Sequence, residues 1–212
     1  MTTPVDLKCD IEKQALINLL IKQLSNFFFI ENQENCILQE KFDDVWIRLY
    51  RCFKSIDNKY FLKDNRLFFS PYHSGQYLIY LYFFSKICSL EKEKTLADKL
   101  YYLNKIMHSC DIYHEINLPE SFFLEHPVGT VLGRAEYGDH FIAMQNCTVG
   151  GNKGIYPTIG NNVIMYSGSK ILGKSVIGNH VTISANTYIK DTDIPNDSIV
   201  FGSSPNLIIK HK

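Results

Sequence analysis

The chain of 212 residues lacks several features that would assign it to a particular class of protein. Basic and acidic residues each number 22, so there is no excess of positive charge to predict nucleic-acid binding. The most apolar run, Tyr77 to Phe84, is far shorter than the ~18 residues that cross a bilayer. The first residues also lack the charged-then-apolar order of a signal peptide. These absences predict a cytoplasmic protein without a transmembrane segment.

Cysteine is present but unclustered. No CxxC pair occurs among the six cysteines, which are Cys9, Cys36, Cys52, Cys88, Cys110 and Cys147. A disulfide framework or a zinc site would need closer spacing, so we expect free, packed thiols in a reducing compartment.

Glycine is scarce in the first half of the chain. Of 12 glycines, only Gly75 precedes residue 128. Glycine in a helix interior costs about 1 kcal/mol relative to alanine, so this scarcity permits helices, and apolar residues recur at helical spacing. We predict an α-helical domain over 1–110, with helices at about 11–30, 41–56, 74–89 and 92–108. Asp10 is the expected N-cap of the first helix, and Asn58 to Tyr72 is an expected loop.

The second half contains a six-residue repeat. Every sixth residue of this stretch is apolar, and these residues are Ile159, Met165, Ile171, Ile177, Ile183 and Ile189. Four positions later in each hexad the residue is small or β-branched, at Val163, Ser169, Ser175, Val181 and Thr187. A period of six matches neither a helix nor an ordinary strand.

This period describes a short extended segment followed by a turn, and three such units close one triangular coil. The apolar residue points into the coil, and coils stack about 4.8 Å apart through parallel strand pairing. The pattern predicts a parallel β-helix over 111–212, which makes the chain α+β. Residues 151–157 interrupt the repeat, and we expect them to leave the coil as a loop.

Three stretches of the second half resemble a known family. They are Asp111-Ile112, Phe123-Leu124-Glu125-His126 and Thr148-Val149-Gly150-Gly151. With the order of helices and coil, they resemble the serine acetyltransferases, a group of the hexapeptide-repeat acetyltransferases. The resemblance implies a left-handed β-helix after the helical domain, and transfer of acetyl from acetyl-CoA to a hydroxyl.

His126 and Asp111 are the expected catalytic residues, since the step of fifteen between them fits the family's aspartate and histidine. A hydroxyl is a weak nucleophile whose proton must leave during attack on the thioester, and histidine suits that role as general base. A carboxylate on the other ring nitrogen orients the imidazole and stabilises its protonated form. His114 is a weaker alternative partner for Asp111.

Two departures from the family pattern concern the acceptor. Glu125 stands where the family has aspartate, and Ile155-Tyr156-Pro157 replaces an Arg-His-Pro that holds the serine carboxylate. A half-buried carboxylate without a cation binds poorly, whereas Tyr156 suits stacking on a sugar.

These departures predict a sugar acceptor of the capsule, exopolysaccharide or O-antigen type, with Glu125 and Tyr156 in contact with it. The sequence then looks more like the capsule and lipopolysaccharide O-acetyltransferases. Serine O-acetylation in cysteine biosynthesis is the alternative activity. A catalytically inactive scaffold protein is the second alternative.

The resemblance also implies an acetyl-CoA groove along the coils, between the subunits of a homotrimer or a dimer of trimers. Gly150 and Gly151 would line the thioester end, and Lys190 would meet the phosphates. The pantetheine arm would contact Ser167, Gly168, Ala185 and Asn186. No metal is expected, because the histidines lack the spacing of the zinc site in β-helical carbonic anhydrases.

Overall fold

The computed structural model describes residues 5–212, which divide into two units after His108. The first unit contains the helices α1 Lys13–Phe27, α2 Asn32–Lys54, α3 Ser74–Leu90 and α4 Lys94–His108. Each of the four predicted helices is therefore confirmed, although α2 begins well before residue 41. A reciprocal cap explains the earlier start, because Glu31 and Glu34 each accept the other's backbone N–H.

Two predictions for the first unit were wrong. Asp10 does not cap α1, since Glu12 occupies that position and the Asp10 carboxylate accepts the Ser70 hydroxyl at 2.6 Å. The expected loop also contains regular structure, since β2 Leu62–Lys63 and β3 Arg66–Phe69 lie within it and form a small sheet with β1 Lys8–Cys9. These strands are too short to produce a periodic pattern in the sequence.

Helix α3 lies in the core of the first unit, and its nearly continuous apolar sequence suits that position. Every side chain from Gln76 to Cys88 is buried. All six cysteines are free, and burial raises the pKa of the Cys88 and Cys110 thiols to about 12. Both thiols therefore stay protonated at neutral pH, which suits packing rather than chemistry.

The second unit is a left-handed parallel β-helix with three faces. The first face stacks β4 Phe122–Leu124, β7 Phe141–Ala143, β10 Ile164–Met165, β13 Thr182–Ile183 and β15 Ser198–Ser203. The second face stacks β5 Val131–Leu132, β8 Thr148–Gly150, β11 Lys170–Leu172 and β14 Tyr188–Lys190. The third face stacks β6 Glu136–Tyr137, β9 Thr158–Ile159 and β12 Val176–Ile177. A last strand, β16 Asn206–His211, pairs antiparallel with β15.

The hexad pattern is confirmed by burial. The six apolar residues and the five small or β-branched residues of the repeat are each at most 2% exposed. Neighbouring coils are in register about every eighteen residues, as in the pairing of Lys170 with Tyr188. The predicted α+β class is therefore confirmed. Within residues 5–212, no helix is long and apolar enough to cross a membrane.

Candidate active site

The three faces of the β-helix meet at three edges, and His126 lies at the first edge, between the first and second faces. It follows β4, and its carbonyl accepts the N–H of Val128 at 2.8 Å to close the turn into β5. The backbone of His126 has a φ of +48°, and its side chain is exposed. The imidazole is therefore open to a ligand at this edge.

Asp111 lies beside β5, on the coil next to that of His126. Its N–H donates to the Thr130 carbonyl and its own carbonyl accepts the N–H of Leu132, both at 2.9 Å. Cys110 and Ile112, on either side, are buried, so strand alternation directs the half-buried Asp111 carboxylate to the outer surface. Asp111 and His126 thus flank the same short stretch of chain, 127–130.

Glu125 immediately precedes the histidine and is half-buried. Its N–H donates to the Ala143 carbonyl at 3.0 Å, which keeps the residue in the parallel register of the first face. Its position beside His126 is compatible with the predicted contact to an acceptor.

A ladder of left-handed backbone positions runs along the first edge. Its members have φ values of +57° to +75° and are Gly129, Asn146, Gly168 and Asn186. A Cβ at Gly168 would lie 2.4 Å from Oδ1 of Asn186, so the turn itself requires glycine there. Ser167 and Ala185 precede two ladder positions. Four of the residues assigned to acetyl-CoA therefore lie on the edge that carries His126.

The other three residues assigned to acetyl-CoA lie at the far margin of the second face. Leu172 pairs with Gly150 of the preceding coil and with Lys190 of the following coil. A Cβ at Gly150 would meet only Leu172, at an ordinary 3.7 Å, whereas one at Gly151 would lie 2.7 Å from the ring of Tyr156. The assigned cofactor residues thus form two groups along opposite margins of one face.

The predicted loop leaves the coil at the second edge, between the second and third faces. Asn152 and Ile155 exchange backbone hydrogen bonds at 2.9 and 3.0 Å, so the loop begins with a tight turn. The Asn152 amide donates to the Asp191 carboxylate at 2.9 Å and ties the turn to the second coil along. Ile155 and Tyr156 are 49% and 45% exposed. Tyr156 therefore presents part of its ring to solvent, as stacking on a ligand would need.

Arg134 is a residue of this edge that the sequence analysis missed. Its Nη2 donates to Oε2 of Glu115 at 3.2 Å. Interaction with Tyr156 and, to a smaller extent, with Glu115 raises the pKa of the Arg134 guanidinium above its ordinary value. The loop therefore has a cation beside it, contributed by a different segment.

A cleft of about 610 Å³ opens beside the loop at the second edge. Its walls include Glu115, Arg134, Glu136, Ile155, Tyr156 and Thr158. The Thr158 hydroxyl donates to Oε2 of Glu136 at 3.3 Å. The cleft therefore combines a guanidinium, two carboxylates, a hydroxyl and an aromatic ring, and we call it the second-edge cleft.

The remaining histidines of the second unit lie elsewhere. His140 contacts the Ser121 hydroxyl at 2.9 Å and His180 pairs with Asp197 at 3.1 Å, both at the third edge. His114 is buried, at 1% exposure. Among the described residues, no group of three or more histidines, cysteines and carboxylates could hold a metal ion.

Comparison with known proteins identified serine acetyltransferases among the relatives of this chain. No protein-family model matches the chain. A serine acetyltransferase of Synechococcus elongatus is 31% identical over 116 residues, which are 52% of this chain and 47% of that protein. A serine acetyltransferase of Helicobacter pylori is 31% identical over 122 residues, which are 55% of this chain and 71% of that protein. The chain thus matches about half of the first relative and more than two thirds of the second.

Solved structures with the same fold carry the same name. A Neisseria gonorrhoeae serine acetyltransferase aligns with a TM-score of 0.67 and 21% identity, over 82% of this chain and 70% of that one. A serine acetyltransferase in complex with CoA aligns with a TM-score of 0.70 and 18% identity, over 92% of this chain and 83% of that one. At these identities the structures establish the shared fold.

Proposed function

Because this chain belongs to the serine acetyltransferase family, we propose that it is an O-acetyltransferase that moves acetyl from acetyl-CoA to a small-molecule hydroxyl. The observation that carries the proposal is the placement of His126 and Asp111 on adjacent coils of a β-helix, both flanking residues 127–130. That arrangement offers a base and a carboxylate at one edge. It disfavours the inactive scaffold, which would need neither group.

In the proposed reaction His126 removes the proton of the acceptor hydroxyl while the oxygen attacks the thioester carbonyl. A tetrahedral intermediate forms and collapses, the carbon–sulfur bond breaks, and the protonated imidazole returns the proton to the departing thiolate. Asp111 orients the ring and stabilises its charged form. General-base catalysis of this kind typically contributes 10²–10⁴-fold.

Acetyl-CoA fits the outer surface of the second face, between the two groups of assigned residues. Gly150 leaves space beside Leu172, because a Cβ added at Gly150 would have no other atom within 4 Å apart from those of its chain neighbours. Ser167, Gly168, Ala185 and Asn186 would follow the pantetheine arm along the first edge, Gly151 would adjoin the thioester end, and Lys190 would meet the phosphates. A relative of the same fold, solved in complex with CoA, supports this cofactor.

L-serine is the acceptor that the relatives favour, although the loop sequence predicts a sugar. The relatives of both organisms are named serine acetyltransferases, so their names support the alternative activity better than the sugar. A sugar of a polysaccharide precursor remains the second acceptor, because the exposed ring of Tyr156 could stack on it.

Steady-state kinetics with acetyl-CoA, L-serine and a panel of free sugars tests the proposal and ranks the acceptors. We expect release of CoA thiol that depends on the acceptor, with a higher kcat/KM for L-serine than for any sugar. Transfer to sugars with L-serine inert would instead establish the second candidate. Absence of transfer to every acceptor would contradict the proposed activity.

We also propose that the chain forms homotrimers, or dimers of trimers, through its β-helix. The first face carries an outward, half-buried and mostly apolar stripe in strict register, formed by Phe123, Ile142, Ile164, Thr182 and Ile199. Packing this stripe against another subunit would remove its apolar surface from water. Two chains would then contribute to each acetyl-CoA groove.

Light scattering tests the assembly. The mass should be three times 24.5 kDa, or a multiple of that trimer mass. Ile164→Lys, on the stripe, should shift the mass toward that of one chain, because a lysine ammonium is costly to bury at an interface. The matched control is Val176→Lys, since Val176 is 48% exposed on the third face. A wild-type mass of one chain with full activity would contradict the shared groove.

A further inference from the structure

Arg134 places a guanidinium beside Ile155-Tyr156-Pro157, the stretch of the loop that lacks a positive charge. We propose that the second-edge cleft binds the acceptor as an α-amino acid zwitterion, with Arg134 holding the carboxylate and Glu136 the ammonium. This inference rests on the proposed function, since it names the residues that select the acceptor of that reaction. It also removes the main sequence argument against L-serine.

The Arg134 guanidinium is available to a ligand because its partner is easily exchanged. The Arg134 and Glu115 side chains are 62% and 49% exposed, and an exposed ion pair contributes little to stability. A ligand carboxylate offers the same two oxygens in the same planar geometry, which suits bidentate binding to arginine. Glu115 is therefore an internal competitor that occupies Arg134 until the ligand arrives.

The loop holds Tyr156, the aromatic wall of the cleft, in place. Tyr156 lines the cleft together with Arg134, and the Tyr156 ring packs over Gly151, where a Cβ would lie 2.7 Å from ring atoms. The turn that precedes Tyr156 is held by its own backbone hydrogen bonds and by Asp191. This wall of the cleft is therefore in place before the ligand binds, which reduces the entropy lost on binding.

The charges of the cleft favour a zwitterion over a simple anion. Glu115 and Glu136 both line the cleft with Arg134, so a ligand with negative charge alone would be repelled. An α-ammonium group offsets that repulsion. The Glu136 carboxylate, which already accepts the Thr158 hydroxyl, has further lone pairs with which to accept it.

The cleft and the base of one chain lie on opposite margins of the second face. β5 separates Arg134 from His126 within a chain, and L-serine is too small to cover that separation. In the proposed trimer the acceptor held by Arg134 would therefore meet the partner subunit's His126.

Kinetics with matched acceptors test the inference. Arg134→Gln should raise the KM for L-serine about 10- to 100-fold, the loss expected for one charge-assisted hydrogen bond. The same variant should leave the kinetics of L-serinamide unchanged, because that acceptor keeps the ammonium and the hydroxyl but has no carboxylate. Arg134→Lys should recover part of the loss, since it restores the charge without the planar fork.

Glu115→Gln should change the KM for L-serine in the opposite direction to Arg134→Gln. Removal of the competitor should lower the KM for L-serine by up to about 5-fold, in keeping with the small contribution of an exposed pair. Lys153→Gln is the matched control, because it removes one exposed positive charge from the same loop without altering the walls of the cleft. It should leave the KM unchanged.

Saturation-transfer NMR of L-serine with the full chain, without acetyl-CoA, separates failure of the inference from failure of the proposed function. Loss of the L-serine signal in Arg134→Gln supports the inference, even if no acetyl transfer occurs with any acceptor. No L-serine signal with the wild-type protein overturns it. So does an unchanged KM for L-serine in Arg134→Gln, or equal losses with L-serine and L-serinamide.

Discussion

Replacement of His126 by alanine should lower kcat by at least ~10²-fold while leaving the KM for acetyl-CoA nearly unchanged. The reason is that a general base acts on the acceptor proton in the transition state and contributes little to ground-state binding of the thioester. His126 is exposed at the first edge, so the substitution opens no cavity in the coil. Steady-state kinetics with saturating acceptor measures the effect.

Two further variants are needed to attribute the loss of kcat to His126 itself. Asp111→Asn should cost less than His126→Ala, because the amide keeps the shape of the side chain and loses its charge. His180→Ala is the control, since His180 is an exposed histidine at the third edge and should retain full activity. Near-full activity of His126→Ala would show that another group acts as base.

Replacement of Gly138 by alanine should destabilise the β-helix by about 2–3 kcal/mol and lower its Tm by roughly 5–10 °C. An added Cβ would lie 2.5–2.7 Å from the backbone carbonyl group of Gly160 and the nitrogen of Asn161. Backbone atoms locked in a parallel ladder cannot move aside as a flexible side chain can. Thermal unfolding followed by circular dichroism measures the change.

Gly150→Ala is the matched control for that stability experiment. Its Cβ would meet only Leu172, at 3.7 Å, so the Tm should stay within about 2 °C of the wild-type value. The same variant should raise the KM for acetyl-CoA if the cofactor lies against Gly150. Equal Tm losses in Gly138→Ala and Gly150→Ala would contradict the steric argument.

The repeat could be predicted in detail because every hexad position has a physical role that limits the residue type. An inward position of a narrow coil accepts an apolar side chain, and Ile171 and Ile183 satisfy this with no exposed surface. The helices were predictable for a similar reason, since amphipathic spacing follows from burial of one side. The start of α2 could not be predicted in this way, because its N-cap is Glu31, paired with Glu34, rather than the more common serine or threonine.

The second-edge cleft was harder to predict from the sequence. Arg134 lies where the repeat steps by five residues instead of six, so its alignment with the loop could not be counted from the hexads. Tyr156 was identified, but the cleft that it lines also includes Arg134, which lies more than twenty residues earlier in the chain. The sequence therefore predicted no cation at Ile155-Tyr156-Pro157, and only the fold brings the Arg134 guanidinium into the same cleft.

Carbon NMR with acetyl-CoA labelled at the acetyl carbonyl is the most direct test of acetyl transfer to a hydroxyl. With the wild-type protein and L-serine, the thioester resonance should disappear and an ester resonance of O-acetylserine should replace it. With His126→Ala, the thioester resonance should persist over the same period. Conversion of the label to free acetate alone, or a thioester resonance that persists with the wild-type protein and every acceptor, would contradict the account.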